Sequence, residues 1–265
     1  MPEVEKNLEV WDSSYDWTLQ GEEWSEPWGN SEAQWFGSIL PRLHRFLPVN
    51  NILEIAPGHG RWTNYLRNYC NNLSLVDLSP TCIISCKERF KEQKNITYHV
   101  NDGKSLSMIP DNSVDLIFSF DSLVHAEIDA IETYLSQFKQ KMTKNGVAFI
   151  HHSNLSEYSK YFSFTEKFNV RIKNRLITAS ILDNRNWRAF SVSAKKFEMN
   201  CEKYSLNCTS QEIINWRSSR LIDCISIITS KDSIWSKPNT IYKNNNFMKE
   251  ASLIKELSNI YSGSR

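Results

Sequence analysis

Glycine is scarce in this chain: eight among 265 residues, fewer than its nine tryptophans. Collagen-like, linker-rich and low-complexity architectures are thereby excluded. An excess of one charge is missing too. Thirty-one Lys and Arg against 30 Asp and Glu leave +1, without the basic field that a nucleic-acid binder uses to release counterions, so no nucleic-acid partner is expected. No apolar run approaches the roughly 20 residues of a membrane span, and residues 1–10 are polar where a secretory leader needs an apolar core. The expectation is a cytoplasmic protein without a membrane span. Cys70, Cys82, Cys86, Cys201, Cys208 and Cys224 match neither a C-x-x-C clip nor a dense disulfide framework, and read as reduced, mostly buried thiols.

What is present is a globular composition, 40% apolar and 12% aromatic, in a length suited to one α/β domain with a cap. Ser31-Glu-Ala-Gln34 spells a capping box ahead of an apolar helical stripe that runs to about Phe46, with a kink expected at Pro41. Short apolar runs then alternate with amphipathic stretches. The runs are Ile52–Ala56, Leu73–Asp77, Ile96–Val100, Val114–Phe120 and Gly146–His151; between them lie Trp62–Cys70, Pro80–Lys94 and Glu127–Met142. This rhythm predicts parallel strands with crossover helices. Cys208–Asn215 and Leu221–Ser230, separated by a short polar stretch, predict an antiparallel hairpin.

The fold class expected is therefore α/β, a doubly wound seven-stranded mixed sheet ending in that hairpin. It divides into an N-terminal Trp-rich helical lid (1–48), the α/β core (49–152), a cap insertion after the fifth strand (153–190), the hairpin part of the core (191–235) and a tail (236–265) read as a loop with one closing helix.

Ligands of open parallel sheets bind beyond the strands' carboxyl ends. After the first strand stands Glu54-Ile-Ala-Pro-Gly58-His-Gly60, whose glycines let a ligand lie against bare backbone. The second strand ends in Asp77, placed to accept from two ribose hydroxyls; the third in Asn101-Asp102-Gly103; the fourth in Ser119-Phe120-Asp121. From Asn51 to Ser153 this set resembles the class I S-adenosylmethionine-dependent methyltransferases, with Ala56 replacing the first glycine of their E/D-x-G-x-G-x-G motif. Within that superfamily, the run from Ser119 to Glu127, the His151-His152 strand end and the Trp-rich start look like the enzymes of bacterial glycan and secondary-metabolite pathways. The resemblance implies S-adenosylmethionine as cofactor, held by Glu54, Ala56, Gly58, Gly60, Asp77, Asp102, Gly103 and Phe120. Glu54 orders the loop or meets the methionine amine, Asp77 holds the ribose and Asp102 reaches the adenine amino group. A nicotinamide enzyme shares the glycine turn and ribose acid, but its fingerprint needs a third glycine where Thr63 stands.

Methyl transfer to a hydroxyl needs a base. His125 is the first candidate, followed by Asp121 and His152; His151 and His152 must face opposite ways by strand alternation. Asp121, His125 and His152 could also cluster around a metal, but no ligand spacing demands one, and none is expected. Trp28, Trp187 and Arg188 are the expected acceptor contacts, while Trp11 and Trp35 read as anchors of the lid. The function expected is methyl transfer to a hydroxyl of a sugar, glycan intermediate or other small molecule. The alternatives are N-methylation of a small molecule, a non-catalytic binding module on the same fold, or an NAD-dependent oxidoreductase.

Overall fold

The computed structural model describes residues 4–179 and 181–262. The outermost residues of the expected lid and tail, 1–3 and 263–265, lie outside the described residues. Eight strands form a single sheet: β1 (Val49–Ile55), β2 (Cys70–Asp77), β3 (Ile96–Val100), β4 (Val114–Ser119), β5 (Met142–Ser153), β6 (Leu206–Ile214), β7 (Asp223–Ser230) and β8 (Thr240–Asn244). Their order is β3-β2-β1-β4-β5-β7-β6-β8. The first five are parallel, β7 runs antiparallel between β5 and β6, and β8 pairs in parallel with β6.

Strand alternation divides the core between the two faces of the sheet. Phe118 and Phe149 stack at 5.5 Å on the face covered by the N-terminal helical run, the helix Pro80–Arg89 and the helix Phe247–Ser262. Ile117, Ala148 and Ile150 face the helices Ile128–Lys141 and Ala194–Lys203. Ser79 caps the helix Pro80–Arg89 by accepting from the Cys82 amide, with Pro80 at its first position, where a missing donor costs nothing.

Three expectations are corrected. The sheet has eight strands, because the Asn- and Lys-rich segment read as a loop supplies β8; lying at the edge with four of its five residues exposed, it has no buried face to impose alternation. The helical run of residues 31–46 is capped by Asn30, not Ser31: the Asn30 side chain accepts from the Ala33 amide, and Ser31 Oγ instead meets Tyr65. Ahead of Pro41, which has no donor for the preceding turn, the run widens to a π-helical stretch over Trp35–Ile39. The amphipathic stretch after the glycine turn is helical only over Thr63–Leu66.

Candidate functional site

The strand order reverses between β1 and β4, and there the carboxyl ends of the strands open onto a cavity of about 390 Å³. Ala56, Gly58, Asp77, Gly103, Phe120, Asp121 and His125, all expected at the site, line it.

Backbone geometry explains the turn after β1. Ala56 has φ +57°, in the left-handed region that favours glycine. Gly58, at φ +58°, donates its amide to Asp77 Oδ2 at 3.0 Å; a Cβ there would come within 2.9 Å of Trp17. Asp77 Oδ1 accepts from the Ser79 amide at 2.8 Å. Burial pushes the Asp77 carboxyl up to about 6 against the pull of these amide donors. A buried carboxylate at the edge of the cavity, still calling for donors, fits a ligand with vicinal hydroxyls.

Other expected residues sit elsewhere. Glu54 is fully buried behind the turn, accepting from Thr63 Oγ1 at 2.6 Å, and burial raises its carboxyl to about 8. It orders the loop. Gly60 packs the turn against the helix Pro80–Arg89, since a Cβ would meet Phe90 at 2.5 Å. Asp102 folds onto its own loop, accepting from the amides of Lys104 and Ser105, while Gly103 faces the cavity.

Three short segments close the cavity from the N-terminal side: the helix Val4–Leu8, the π turn Glu9–Ser14 and the 3-10 turn Glu22–Trp28. Trp11, Trp17 and Trp24 line it. Trp17 stacks on His59 of the glycine turn with centroids 4.3 Å apart and planes 5° from parallel. Asp12 accepts from Ser79 Oγ at 2.6 Å and the Thr81 amide at 3.0 Å, so the lid supplies a second cap to the helix Pro80–Arg89.

His125 stands at the cavity with Trp11 beside it, centroids 5.3 Å apart. Its Nδ1 is 3.0 Å from the Trp187 carbonyl, an oxygen that only accepts, so Nδ1 carries the proton and the neutral ring leaves Nε2 free as a base. Burial first, and then the Arg188 charge, lower its pKa to about 4. Asp121 is held otherwise: at φ +61° it accepts from Arg61 Nη2 at 3.0 Å. This ion pair ties the loop after β4 to the residue that follows the glycine turn.

His152 is corrected. It lies on the opposite face of the sheet, stacked on Phe197 at 3.9 Å, with Nε2 2.8 Å from Ser226 Oγ. The trio Asp121, His125 and His152 is therefore not brought together. His151 is buried on the other face, beside Phe120 and Trp216; its Nδ1 accepts from the Asp121 amide at 3.1 Å. Trp28 is corrected as well, being fully buried between Trp216 and Phe247 at 5.2 and 5.7 Å. Trp11 belongs to the cavity wall as much as to an anchor. Arg188 is a buried structural cation, its Nη2 2.8 Å from Asp223, and Trp187 presents to the site its carbonyl, not its ring.

Sequence reasoning passed over Arg61 and Asp223. Arg61 follows the glycine turn, lies over the Trp62 and Trp24 rings at 4.4 and 5.1 Å, and reaches both Ser25 and Asp121. Its position directly after Gly60 was the available signal. For Asp223 it was a lone acid at the head of an apolar run, which burial obliges to find a cation.

Residues 52–146 match the family model described as a methyltransferase domain. Methyl transfer is the activity that this family description names. Among curated proteins, the ribosomal RNA small subunit methyltransferase A of Coxiella burnetii is 27% identical over 129 residues, 43% of this chain and 50% of that protein. Nodulation protein S of Sinorhizobium fredii is 29% identical over 100 residues, 37% of this chain and 45% of that one. The chain thus spans half or less of the curated relatives it matches. Among solved structures, the PH0226 protein of Pyrococcus horikoshii superposes with a TM-score of 0.55 at 14% identity, over 85% of this chain and 97% of that one. An S-adenosylmethionine-dependent methyltransferase from Clostridium acetobutylicum gives 0.53 at 14% identity, over 82% and 96%. At such identities the structures establish the Rossmann-like fold beyond the domain's 52–146 core.

Proposed function

We propose that the chain transfers the methyl group of S-adenosylmethionine to a hydroxyl of a sugar, glycan intermediate or other small molecule, with His125 as base. One observation carries this reading. The His125 ring faces the cavity neutral, its Nδ1–H fixed by the Trp187 carbonyl, so Nε2 can take a hydroxyl proton at neutral pH. When bound, the cofactor supplies a methyl group on a positively charged leaving group. The chain's own residues do the rest. Asp77 accepts from ribose hydroxyls, the turns at Gly58 and Gly103 let Trp17 and the Val4–Leu8 helix pack down over the cavity, and the Trp11, Trp17 and Trp24 rings exclude water. Holding donor and acceptor in line supplies most of the remaining rate.

A nucleic-acid acceptor, suggested by the ribosomal RNA relative, is less well supported. The net charge is +1, and the cations that line the cavity, Arg61 and Lys104, are paired with Asp121 and Asp129 beside Glu5 and Glu127, so the cavity itself offers phosphates no unpaired Lys or Arg.

S-adenosylhomocysteine is expected to raise the melting temperature and NAD to leave it unchanged; a stabilising effect of NAD alone would move the site to redox chemistry. His125→Ala is expected to slow transfer by about 10²–10⁴-fold with unchanged donor affinity. Assay with labelled S-adenosylmethionine against sugar, lipid-linked glycan and amine acceptors separates the chemistries. Label on amines alone, with turnover indifferent to His125, overturns the oxygen reading, and binding without any transfer identifies a non-catalytic module.

A further inference from the structure

The cap after β5 bears a surface that the transfer chemistry does not use. Residues 159–187 hold six Lys and Arg against two Asp and Glu. Phe164, Val170, Ile172, Ile181 and Trp187 are 59, 69, 52, 67 and 64% exposed. The helix Val170–Thr178 is the informative element. Val170, Ile172, Leu176 and Ile177 fall on one arc at 100° per residue, interrupted by Lys173, which is paired with Glu166, with Asn174, Thr178, Arg171 and Arg175 on the other; Leu176 and Ile177 are half-buried, and no residue of the helix is fully buried. Amphipathic helices of folded domains spend their apolar arc on a core, and this one does not. Lys173 and Arg185 share Glu166, whereas the exposed Lys160, Lys167, Arg171 and Arg175 enter no ion pair among the described residues.

We propose that this cap docks on an anionic phospholipid surface, the apolar arc entering the interface and the unpaired cations meeting lipid phosphates. Unpaired basic side chains flanking an unburied apolar arc are what interfacial binding requires. A second copy of the chain would set like charges face to face, and a nucleic acid would leave five large apolar side chains uncovered.

The surface is joined to the site. Asn186 and Trp187 are consecutive residues in the left-handed region, at φ +51° and +61°, and the Trp187 carbonyl fixes His125 while its ring stays in solvent. Docking would thus present the cavity to an acceptor embedded in the same surface, an amphiphile with a hydroxylated headgroup. This last step rests on the methyl-transfer reading; the docking itself does not.

Sedimentation of the intact chain with vesicles tests it. Phosphatidylcholine vesicles containing about 30% phosphatidylglycerol are expected to bind at least tenfold more tightly than phosphatidylcholine alone in about 0.1 M salt, with most binding lost near 0.5 M. The double variant Val170→Glu, Ile172→Glu is expected to abolish partition at unchanged S-adenosylhomocysteine affinity. Wild-type partition that ignores lipid charge, binding that survives both substitutions, or a dimer in gel filtration that the substitutions dissolve would each overturn the proposal, the last in favour of self-association. Capture of an acidic protein with no vesicle binding would overturn it in favour of a protein partner. Failure of the wild type to bind S-adenosylhomocysteine would count against the methyl-transfer reading alone.

Discussion

If Asp77 holds the ribose as proposed, cofactor affinity should depend on pH in a calculable direction. Burial raises its carboxyl to about 6, so in the empty site it binds a proton that an ordinary aspartate sheds near 3.8. To accept from two ribose hydroxyls it must be ionised. As pH rises through 6 the accepting form fills and affinity should reach its plateau; below 6 the dissociation constant of S-adenosylhomocysteine should climb about tenfold per pH unit. Calorimetric titration between pH 5 and 8 checks this, and a dissociation constant flat across that range would remove Asp77 from the ribose. Asp77→Asn keeps the size but loses the charge, and should weaken binding about tenfold to a hundredfold at pH 7, the worth of one or two charge-assisted hydrogen bonds. It should also flatten the pH dependence.

At the scale of elements, the N-terminal segment over the cavity is expected to set how fast the cofactor exchanges. Asp12 ties the π turn Glu9–Ser14 to the helix Pro80–Arg89 through Ser79 and the Thr81 amide, and those hydrogen bonds lower its own pKa. Asp12→Ala should cost about 1 kcal/mol of lid docking. Release of S-adenosylhomocysteine should quicken roughly fivefold and amide exchange in residues 4–28 should rise, while exchange in β1 to β5 stays unchanged. If the release rate does not change, exchange does not pass through this lid. The lid's tryptophans were visible in the sequence; their division was not. Trp17 and Trp24 reach the cavity while Trp28 enters the core, because a 3-10 turn over Glu22–Trp28 brings Trp28 between Trp216 and Phe247, more than 180 residues away. The strand rhythm of β1 to β5, the glycine turn and Asp77 were legible because each is written in neighbouring residues. His151 and His152 show the limit: alternation separates them, but only packing decides that His151 turns toward Phe120 and Trp216 and His152 toward Phe197. β8 was illegible for a related reason, since an edge strand exposed on both faces carries no pattern of burial.

Across the whole molecule, one buried ionic chain joins the glycine turn, the loop after β4, the cap, β7 and β5. Arg61 meets Asp121 at 3.0 Å, Arg188 stands 3.6 Å from Asp121 and 2.8 Å from Asp223, and His151 Nε2 lies 3.2 Å from Asp223. Burial alone would raise the Asp223 carboxyl, but Arg188 and His151 outweigh it and hold it at about 2, below its ordinary 3.8. Its contribution to stability is therefore full above pH 3.8 and is lost as pH falls toward 2. Arg188→Met keeps the side chain's length and strands that carboxylate, which should cost about 3–5 kcal/mol at neutral pH. The sign of the dependence then reverses: without its cation the buried acid titrates above its ordinary value, so stability should fall as pH rises from 4 to 7. The same guanidinium also lowers the His125 pKa from across the loop. In the variant, at a temperature where it stays folded, the acid limb of the rate profile should move up from about pH 4 toward the ordinary histidine value. Denaturant melts at pH 4 and 7, together with rates across that interval, measure both effects. A variant that loses acceptor affinity while keeping its stability and its acid limb would return Arg188 to the acceptor.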